Sequence, residues 1–571
     1  MPAAEYHEMR RIPRTILLLY SHLPGIACFL TAGSALLHPV APRSDGVGRC
    51  YSTPTTLAAA NGPAFDEVQS GSTSQRPIRR VAIVGAGIAG LSLAHALRST
   101  SDDDVEVTIF ESRPGPLDFS AGAGVQINGG ASVLRRISPD LHGRVVRAAL
   151  PLKHIRSRAK PWFQSGTDTN PFSTLLEINL ESAIKNTGGD VEEALIVDGE
   201  VQAFTIMRGA LQKILLEALP STTQIELGKT LTNIQAADDG DGAVCIFNND
   251  ELFGPFDIVC GCDGIQSAVK QYVDSYKISR DEKSSQSALY SGIRIRYAIE
   301  DCEEVGDVAE LRQYFGDGAY GLFGTYGSGE GETRKRGAYL IFNDKDYIGP
   351  FPKKRAENDA AGATAAAAAA AAENADWAES RQDDMRADTL LRMNNAGLPD
   401  EELRPVIEAA DKFFELGVYF HNPFSLRGWT REVKGTRGTY ACLVGDSAHA
   451  MPPFLGQGAN QAIQDAYCLA IKIAEHNTNC EAMAGATGQV LPPDVTAEEE
   501  TKARTLGELL KEYEALRWSP TASITLKSIL LGYLETGGEG LPSKLRDSVF
   551  FTLGKLGIAR KVFLDGATPR F

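Results

Sequence analysis

Apolar and polar positions follow three rhythms along this chain. Solid apolar runs from Arg80 to Val84, Val105 to Phe110, Phe256 to Cys262 and Ala441 to Val444 each end in glycine or an acid. They predict buried strands of a parallel sheet. Helical spacing follows several of them. Leu91 to Leu97 forms one such segment. Leu211, Ile214, Leu215 and Ala218 mark a helix opening at Met207–Arg208, and Ala459, Ala462, Ile463 and Ala466 mark one opening near Gln457. From about 285 to 437 the pattern becomes short alternating runs, such as Ser291 to Ala298 and Ala338 to Phe342, around glycine-rich turns at 316–331. This predicts antiparallel strands. Helices are expected from about 501 to the end, the last of them strongly apolar, with Lys555, Arg560 and Lys561 interspersed.

The expected fold class is therefore α/β (α+β overall): a Rossmann-like domain, a mixed-sheet domain and C-terminal helices. The first part of the Rossmann-like domain is assigned to 79–284, with segments in 150–200 shared with the second domain at 285–437. The chain returns to the first domain at 438–480, and 481–571 forms the helical region. The alanine-rich stretch at 358–374 reads as a surface insertion without chemistry of its own.

Residues 1–78 keep to none of these rhythms. Arg10, Arg11 and Arg14 precede an apolar segment, Thr15 to Leu37, which His22, Pro24 and Gly25 interrupt. A stretch rich in Ser, Thr, Ala and Pro follows. This composition predicts a targeting segment for an organelle, plastid or mitochondrion, with Arg49 to Ser52 resembling a matrix-processing site. The alternative is a retained membrane anchor at 15–37, a span of about 20 apolar residues being long enough for a bilayer.

The bulk numbers remove some function classes. A 571-residue chain with 43% hydrophobic residues builds a sizeable core. A formal charge of −16 argues against nucleic acid as the main partner. Nine cysteines lack zinc spacing and read as buried thiols, and nine histidines show no metal pattern, so no metal is expected. His449 reads as structural.

The candidate chemistry lies where strands end. Gly85-Ala-Gly87-Ile-Ala89-Gly90 follows the first run and opens a helix, and the second run ends at Glu111, 21 residues after Gly90. This is a dinucleotide fingerprint in its required context. Gly85 serves the tight turn, Gly87 the approach of a pyrophosphate and Gly90 the packing of helix on strand, while Glu111 suits ribose hydroxyls. The fingerprint alone leaves NAD and FAD both open. The third run ends at Asp263-Gly264. The fourth ends at Gly445-Asp446, and a loop with Pro452, Pro453, Gly456 and Gly458 leads to the next helix. Bare backbone beside a helix N-terminus, with a carboxylate opposite, suits a hydroxylated and partly anionic ligand such as a flavin.

GDSAHAMPPFLGQGANQAIQDA, beginning at Gly445, resembles the second FAD motif of the single-component flavin-dependent aromatic hydroxylases, which include salicylate hydroxylase. Asp263-Gly264 resembles that family's Asp-Gly motif, and Ala121 to Ile137 resembles the segment after its first fingerprint. The Arg208–Leu211 spacing resembles its FAD-reaching arginine. The chain departs from the family at Gln266 and Lys270, where arginine is usual. The resemblance implies FAD bound by Gly85, Gly87, Ala89, Gly90, Glu111, Arg113, Gly124, Val125, Arg208, Asp263, Gly264, Gly445, Asp446, Gly456, Gln457, Gly458, Ala459 and Asn460. Pro452 and Pro453 are expected to shape the oxygen-reacting face, with no acid–base residue assigned. It also implies NADPH or NADH as co-substrate, and dioxygen activated at flavin C4a to hydroxylate or epoxidise a small aromatic or isoprenoid-like substrate. The alternatives are a flavin oxidoreductase that inserts no oxygen, or a non-catalytic flavin protein with peripheral membrane contact through its apolar C-terminal stretch.

Overall fold

The structure is a computed structural model. It describes residues 76–101, 105–115, 122–160, 172–275, 288–303, 306–345, 382–425, 427–486 and 504–570. Residues 1–75 of the expected targeting segment, with the candidate anchor at 15–37, and the alanine-rich insertion lie outside the described residues, whereas residues 76–78 belong to the fold: Ile78 is buried and its N–H donates to Asn477 Oδ1 at 2.7 Å.

The four apolar runs form one sheet. Its strand order is Thr430–Glu432, Tyr440–Leu443, Ile258–Gly261, Arg80–Val84, Glu106–Glu111, Gln224–Leu227, all parallel except the antiparallel edge strand Thr430–Glu432. The interior strand Arg80–Val84 is buried from Val81 onward, as a strand covered on both faces must be. Helix Ile88–Thr100 packs against the long helix Gly458–Ala486, joining two segments nearly 370 residues apart. A three-stranded antiparallel flap, Leu231–Ala236, Ala243–Phe247 and Leu252–Phe256, closes one flank. There Phe247, Phe253 and Phe256 surround Phe110, the first at 4.4 Å between ring centroids.

The large sheet runs Lys412–His421, Ala288–Asp301, Lys335–Asn343, Ala319–Tyr326, Ala309–Phe315, Leu150–Ala159, Phe204–Met207, Gly124–Ile127, with Ser173–Asn179 paired to Leu150–Ala159. It draws on more of the chain than the alternation between 285 and 437 indicated. Gly124–Ile127 and Phe204–Met207, expected within the nucleotide-binding part, are strands of this sheet. Both are only four residues long and too short to show alternation. One face of the sheet, with Ala298, Tyr314, Phe323, Leu340 and Phe342, packs under residues 393–413. The opposite face joins the core shared with the parallel sheet.

At the C-terminus, Leu506–Thr536 opens with a capping box, Thr505 with Glu508. Leu541–Lys555 and Ile558–Ala567 follow. All seven cysteines among the described residues are free and buried. Among the described residues no helix is long and apolar enough to cross a membrane.

Candidate functional site

Register brings the strand ends together. Val84 stands opposite Gly261 on one side and Phe110 on the other, and Gly261 stands opposite Leu443. The residues just beyond them form one row at the carboxyl edge: Glu111, Gly85, Cys262–Asp263 and Val444–Gly445. Neighbouring strands lie about 4.8 Å apart, so the whole row spans roughly 15 Å.

The glycines in this row have different jobs. Gly85 has φ +108°, and a Cβ there would meet the Cys262 carbonyl oxygen at 2.4 Å. A Cβ on Gly90 would meet the Gly85 carbonyl oxygen at 2.0 Å. On Gly445, at φ +66°, it would touch the Cβ atoms of Ala89 and Ala462 at 3.1 and 3.2 Å. These three exist so that fingerprint, Asp-Gly turn and second motif can press together. Gly87, Gly264 and Gly458 face open space instead, where a Cβ would find nothing within 4 Å.

Glu111 is fixed in place. Its carboxylate accepts from the Ala86 N–H at 3.0 Å and from the Arg113 N–H and Nε at 3.1 and 3.0 Å. Burial opposes its charge, yet these donors outweigh burial and hold the carboxyl below its usual range. Arg113 therefore reaches Glu111 and braces it.

Asp446 and Arg208 are the open groups. Both are exposed, and no described residue hydrogen-bonds to either side chain. Arg208 begins helix Arg208–Glu217, and its stem lines Gly122, 3.5 Å from where a Cβ would sit. Asp446 is open to solvent but walled by surrounding protein; the partial loss of hydration pushes its carboxyl up, while the fields of His449 and Arg208 pull it down. Arg208 directly follows Phe204–Met207, a strand of the large sheet, and its N–H donates to the Ala123 carbonyl at 3.1 Å.

Behind Asp446 the loop is braced. Asp465, fully buried, accepts from the Gly445 N–H at 3.0 Å, pairs with His449 Nε2 at 2.5 Å and accepts from Arg517 Nε at 2.7 Å. Arg517 is itself fully buried and also donates to the Gln461 side chain at 2.7 Å. Burial disfavours the Asp465 charge, but His449 and Arg517 hold its carboxyl below the usual range. His449 is structural, as expected. Its partner Asp465 sits on the apolar face of a helix, and that misplaced charge was the one signal of the brace in the sequence.

Several expected ligand residues turn inward. Asn460 is buried: its Oδ1 accepts from the N–H groups of Asn128 and Gly130 at 2.8 and 3.0 Å, and its Nδ2 donates to the Gln126 carbonyl at 3.0 Å. Its side chain thus ties the two glycine-rich segments to each other. The Gln457 side chain lies against Gly566, 3.4 Å from where a Cβ would sit. Asp263 Oδ2 accepts from the Ala268 and Val269 N–H groups at 2.7 and 3.3 Å, capping a helix, and Oδ1 is buried without a partner. No described residue accepts from the N–H groups of Gly458, Ala459 or Asn460 at the head of helix Gly458–Ala486. Ala89 is buried under Gly445. Pro452 is buried with its carbonyl bonded to Ser528 Oγ at 2.7 Å, and Pro453 is exposed. Gly456, at φ +62°, faces the Gln126 amide. Lys270 lines a cavity of about 240 Å³ beside His449, Trp429 and Trp518, where it pairs with Asp274 at 3.6 Å.

The large sheet presents an aromatic face. Tyr297, Tyr339, Leu322, Gln313 and Ser157 stand opposite one another in a single cross-strand row. Tyr339 Oη accepts from the Gly124 N–H at 3.2 Å, and the Tyr326 ring occupies the space a Cβ on Gly124 would need. Gly124 and Val125 are thereby fixed between tyrosines and the Asn460 ties. None of this face was legible before the register was known.

An FAD fits what is present. Two unpartnered opposite charges, free amides at a helix head and bare glycines facing open space meet the needs of a pyrophosphate, a polyhydroxyl chain and a ring that gains charge.

Comparisons with known proteins agree. The FAD binding domain family matches residues 425–482, and the NAD(P)-binding Rossmann-like domain family matches residues 83–147. The chain is 26% identical to a 3-amino-4-hydroxybenzoate 2-monooxygenase of Streptomyces cremeus over 68% of this chain and 76% of that one. It is also 26% identical to a salicylate hydroxylase of Pseudomonas putida, over 76% and 86%. Its fold is similar to that of Klebsiella pneumoniae HpxO crystallised with FAD and uric acid, with a TM-score of 0.56 and 18% identity over 86% of this chain and 97% of that one. Both domain matches and these relatives make the chain similar to FAD-dependent monooxygenases that include a salicylate hydroxylase.

Proposed function

We propose that this enzyme takes electrons from NADPH or NADH and inserts one oxygen atom of O₂ into a small aromatic or isoprenoid-like substrate held against the tyrosine face. The observation that carries this reading is the row of strand ends with its bare glycines, together with Arg208 at the end of a strand of the aromatic sheet.

Each part of the chain has a task in this reading. Gly87 lets a pyrophosphate approach the head of helix Ile88–Thr100, and the remaining lone pairs of Glu111 take the adenosine ribose hydroxyls. Arg208 offers charge to the pyrophosphate, and Asp446 accepts from the ribityl hydroxyls. The free amides of Gly458 to Asn460 face the ring edge that becomes negative on reduction. Bound FAD supplies the electron transfer and the activation of oxygen. The protein must keep water out and hold the substrate in line, and the apolar row of Tyr297, Tyr339 and Leu322 suits an aromatic or alkene carbon.

Incubating the purified protein with NADPH or NADH, labelled dioxygen and candidate aromatic acids, phenols or isoprenoids tests this. One labelled oxygen atom should appear in product by mass spectrometry. Coenzyme oxidation that yields a reduced product and no labelled oxygen would favour an oxidoreductase without oxygen insertion.

A further inference from the structure

Helix Leu541–Lys555 has one face committed to the fold. Phe550 is buried with its ring 4.5 Å from Phe315, and the Arg546 guanidinium lies 4.9 Å over the same Phe315 ring. Arg546 Nη1 also donates to the Glu535 carbonyl at 3.3 Å. These anchors set the helix's rotation, so the opposite face must stay outside.

That outer face is unusual for this molecule. Positions 541, 544, 545, 548, 551, 552 and 555 fall on one stripe at helical spacing, and all are exposed. Leu541 is 76% exposed, Leu545 64% and Leu556, just past the helix end, 67%. Phe551 adds an exposed ring, with Lys555 Nζ 4.5 Å from its centroid. Lys544 shares the stripe, and exposed Arg560 and Lys561 follow within five residues of Leu556. Residues 541–570 hold six cationic and two acidic side chains, in a chain of net charge −16. Of the two acids, Asp547 is tied to Arg546 and Asp565 to Lys527. Other exposed large apolar residues, such as Leu252, Leu391 and Phe424, are far apart in sequence from this group.

We infer that this stripe is a docking surface for an anionic lipid bilayer, with the leucines and Phe551 entering the headgroup boundary and the cations pairing with lipid phosphates and carboxylates. Charge decides between occupants. Two copies meeting stripe to stripe would set their cations against each other, and like charges repel. A bilayer rich in anionic lipid supplies both the apolar depth and the opposite charge. The inference is independent of the reaction proposed above.

The test uses the full chain loaded with FAD, floated with vesicles of phosphatidylcholine alone or with about one-third phosphatidylserine. The protein should float with the anionic vesicles only, and less so as salt shortens the screening length. The double variant Leu541→Glu/Leu545→Glu and the triple variant Lys555→Glu/Arg560→Glu/Lys561→Glu should each lower the bound fraction by roughly tenfold. Flavin absorbance and melting temperature should be unchanged, because every altered side chain is exposed. Leu252→Glu, exposed elsewhere, should bind as the parent does. Residues 15–37 are present throughout, so the differences read the stripe alone. Three results would overturn the inference: variants that bind like the parent, equal binding to neutral vesicles, or a parent dimer that the double variant splits.

Discussion

The carboxyl edge of the parallel sheet and the cleft-facing side of the large sheet meet at one site, yet they are built by opposite means. The edge works through backbone: bare glycines, free amides and a few fixed carboxylates. The large sheet works through side chains that become neighbours only when its strands pair. Backbone chemistry leaves a local trace, because glycine is required wherever a Cβ would collide or a ligand must approach. Side-chain faces leave none, because a shift of one residue in register would turn Tyr297 and Tyr339 to the other side.

Four experiments sharpen this contrast, and the largest effect belongs to the brace behind the edge. Arg517→Ala strands the Asp465 carboxylate in a fully buried site and should cost about 3–5 kcal/mol, read as a fall in chemical-denaturation midpoint. A fall of under about 1 kcal/mol would show that the brace is dispensable.

Asp446→Ala should leave the melting temperature of the flavin-free protein nearly unchanged while giving colourless preparations. A fully yellow, active variant would sink the assignment of Asp446 to FAD.

Next comes a matched pair of glycines. Gly90→Ala drives a methyl group into the Gly85 carbonyl and should destabilise the fold by about 1–3 kcal/mol. Gly87→Ala meets open space at φ −78° and should spare stability while weakening FAD binding, measured by flavin fluorescence on titration. Equal loss of stability in both would mean that Gly87 serves packing and faces no ligand.

The smallest effect concerns Glu535, which is buried against the aromatic face with Oε1 accepting from Gln313 at 3.0 Å. Burial pushes its carboxyl from 4.5 up to about 8, despite donors at Tyr320 and Gln313. The folded state then holds a proton that the unfolded chain has released, so stability is full below about pH 4.5 and falls as pH rises toward 8. The slope for one proton is at most about 1.4 kcal/mol per pH unit. Glu535→Gln should remove that component from the pH dependence of the melting temperature. An unchanged slope would mean that Glu535 is already ionised.

The short strands show how far local pattern reaches. Arg80–Val84 and Tyr440–Leu443 were readable because burial on both faces forces uninterrupted apolar residues and a sharp stop. Gly124–Ile127 and Phe204–Met207 leave no such mark, since four residues cannot display which neighbour they pair with. Asn460 and Gln457 sit inside a recognisable motif, yet their side chains point into the protein. Motif spacing fixes where a residue falls along the chain and is silent about which way its side chain turns.

By itself the sequence determined the parallel strands, the turns that end them, the fingerprint with its acid and the helix that presents free amides, because each depends on contacts within about thirty residues. Tertiary structure alone decided that these ends fall into one row, that Asp465 and Arg517 brace the loop behind Asp446, and that tyrosines from two strands of the large sheet face it. Those facts depend on register and on pairings between segments hundreds of residues apart, which no local pattern encodes.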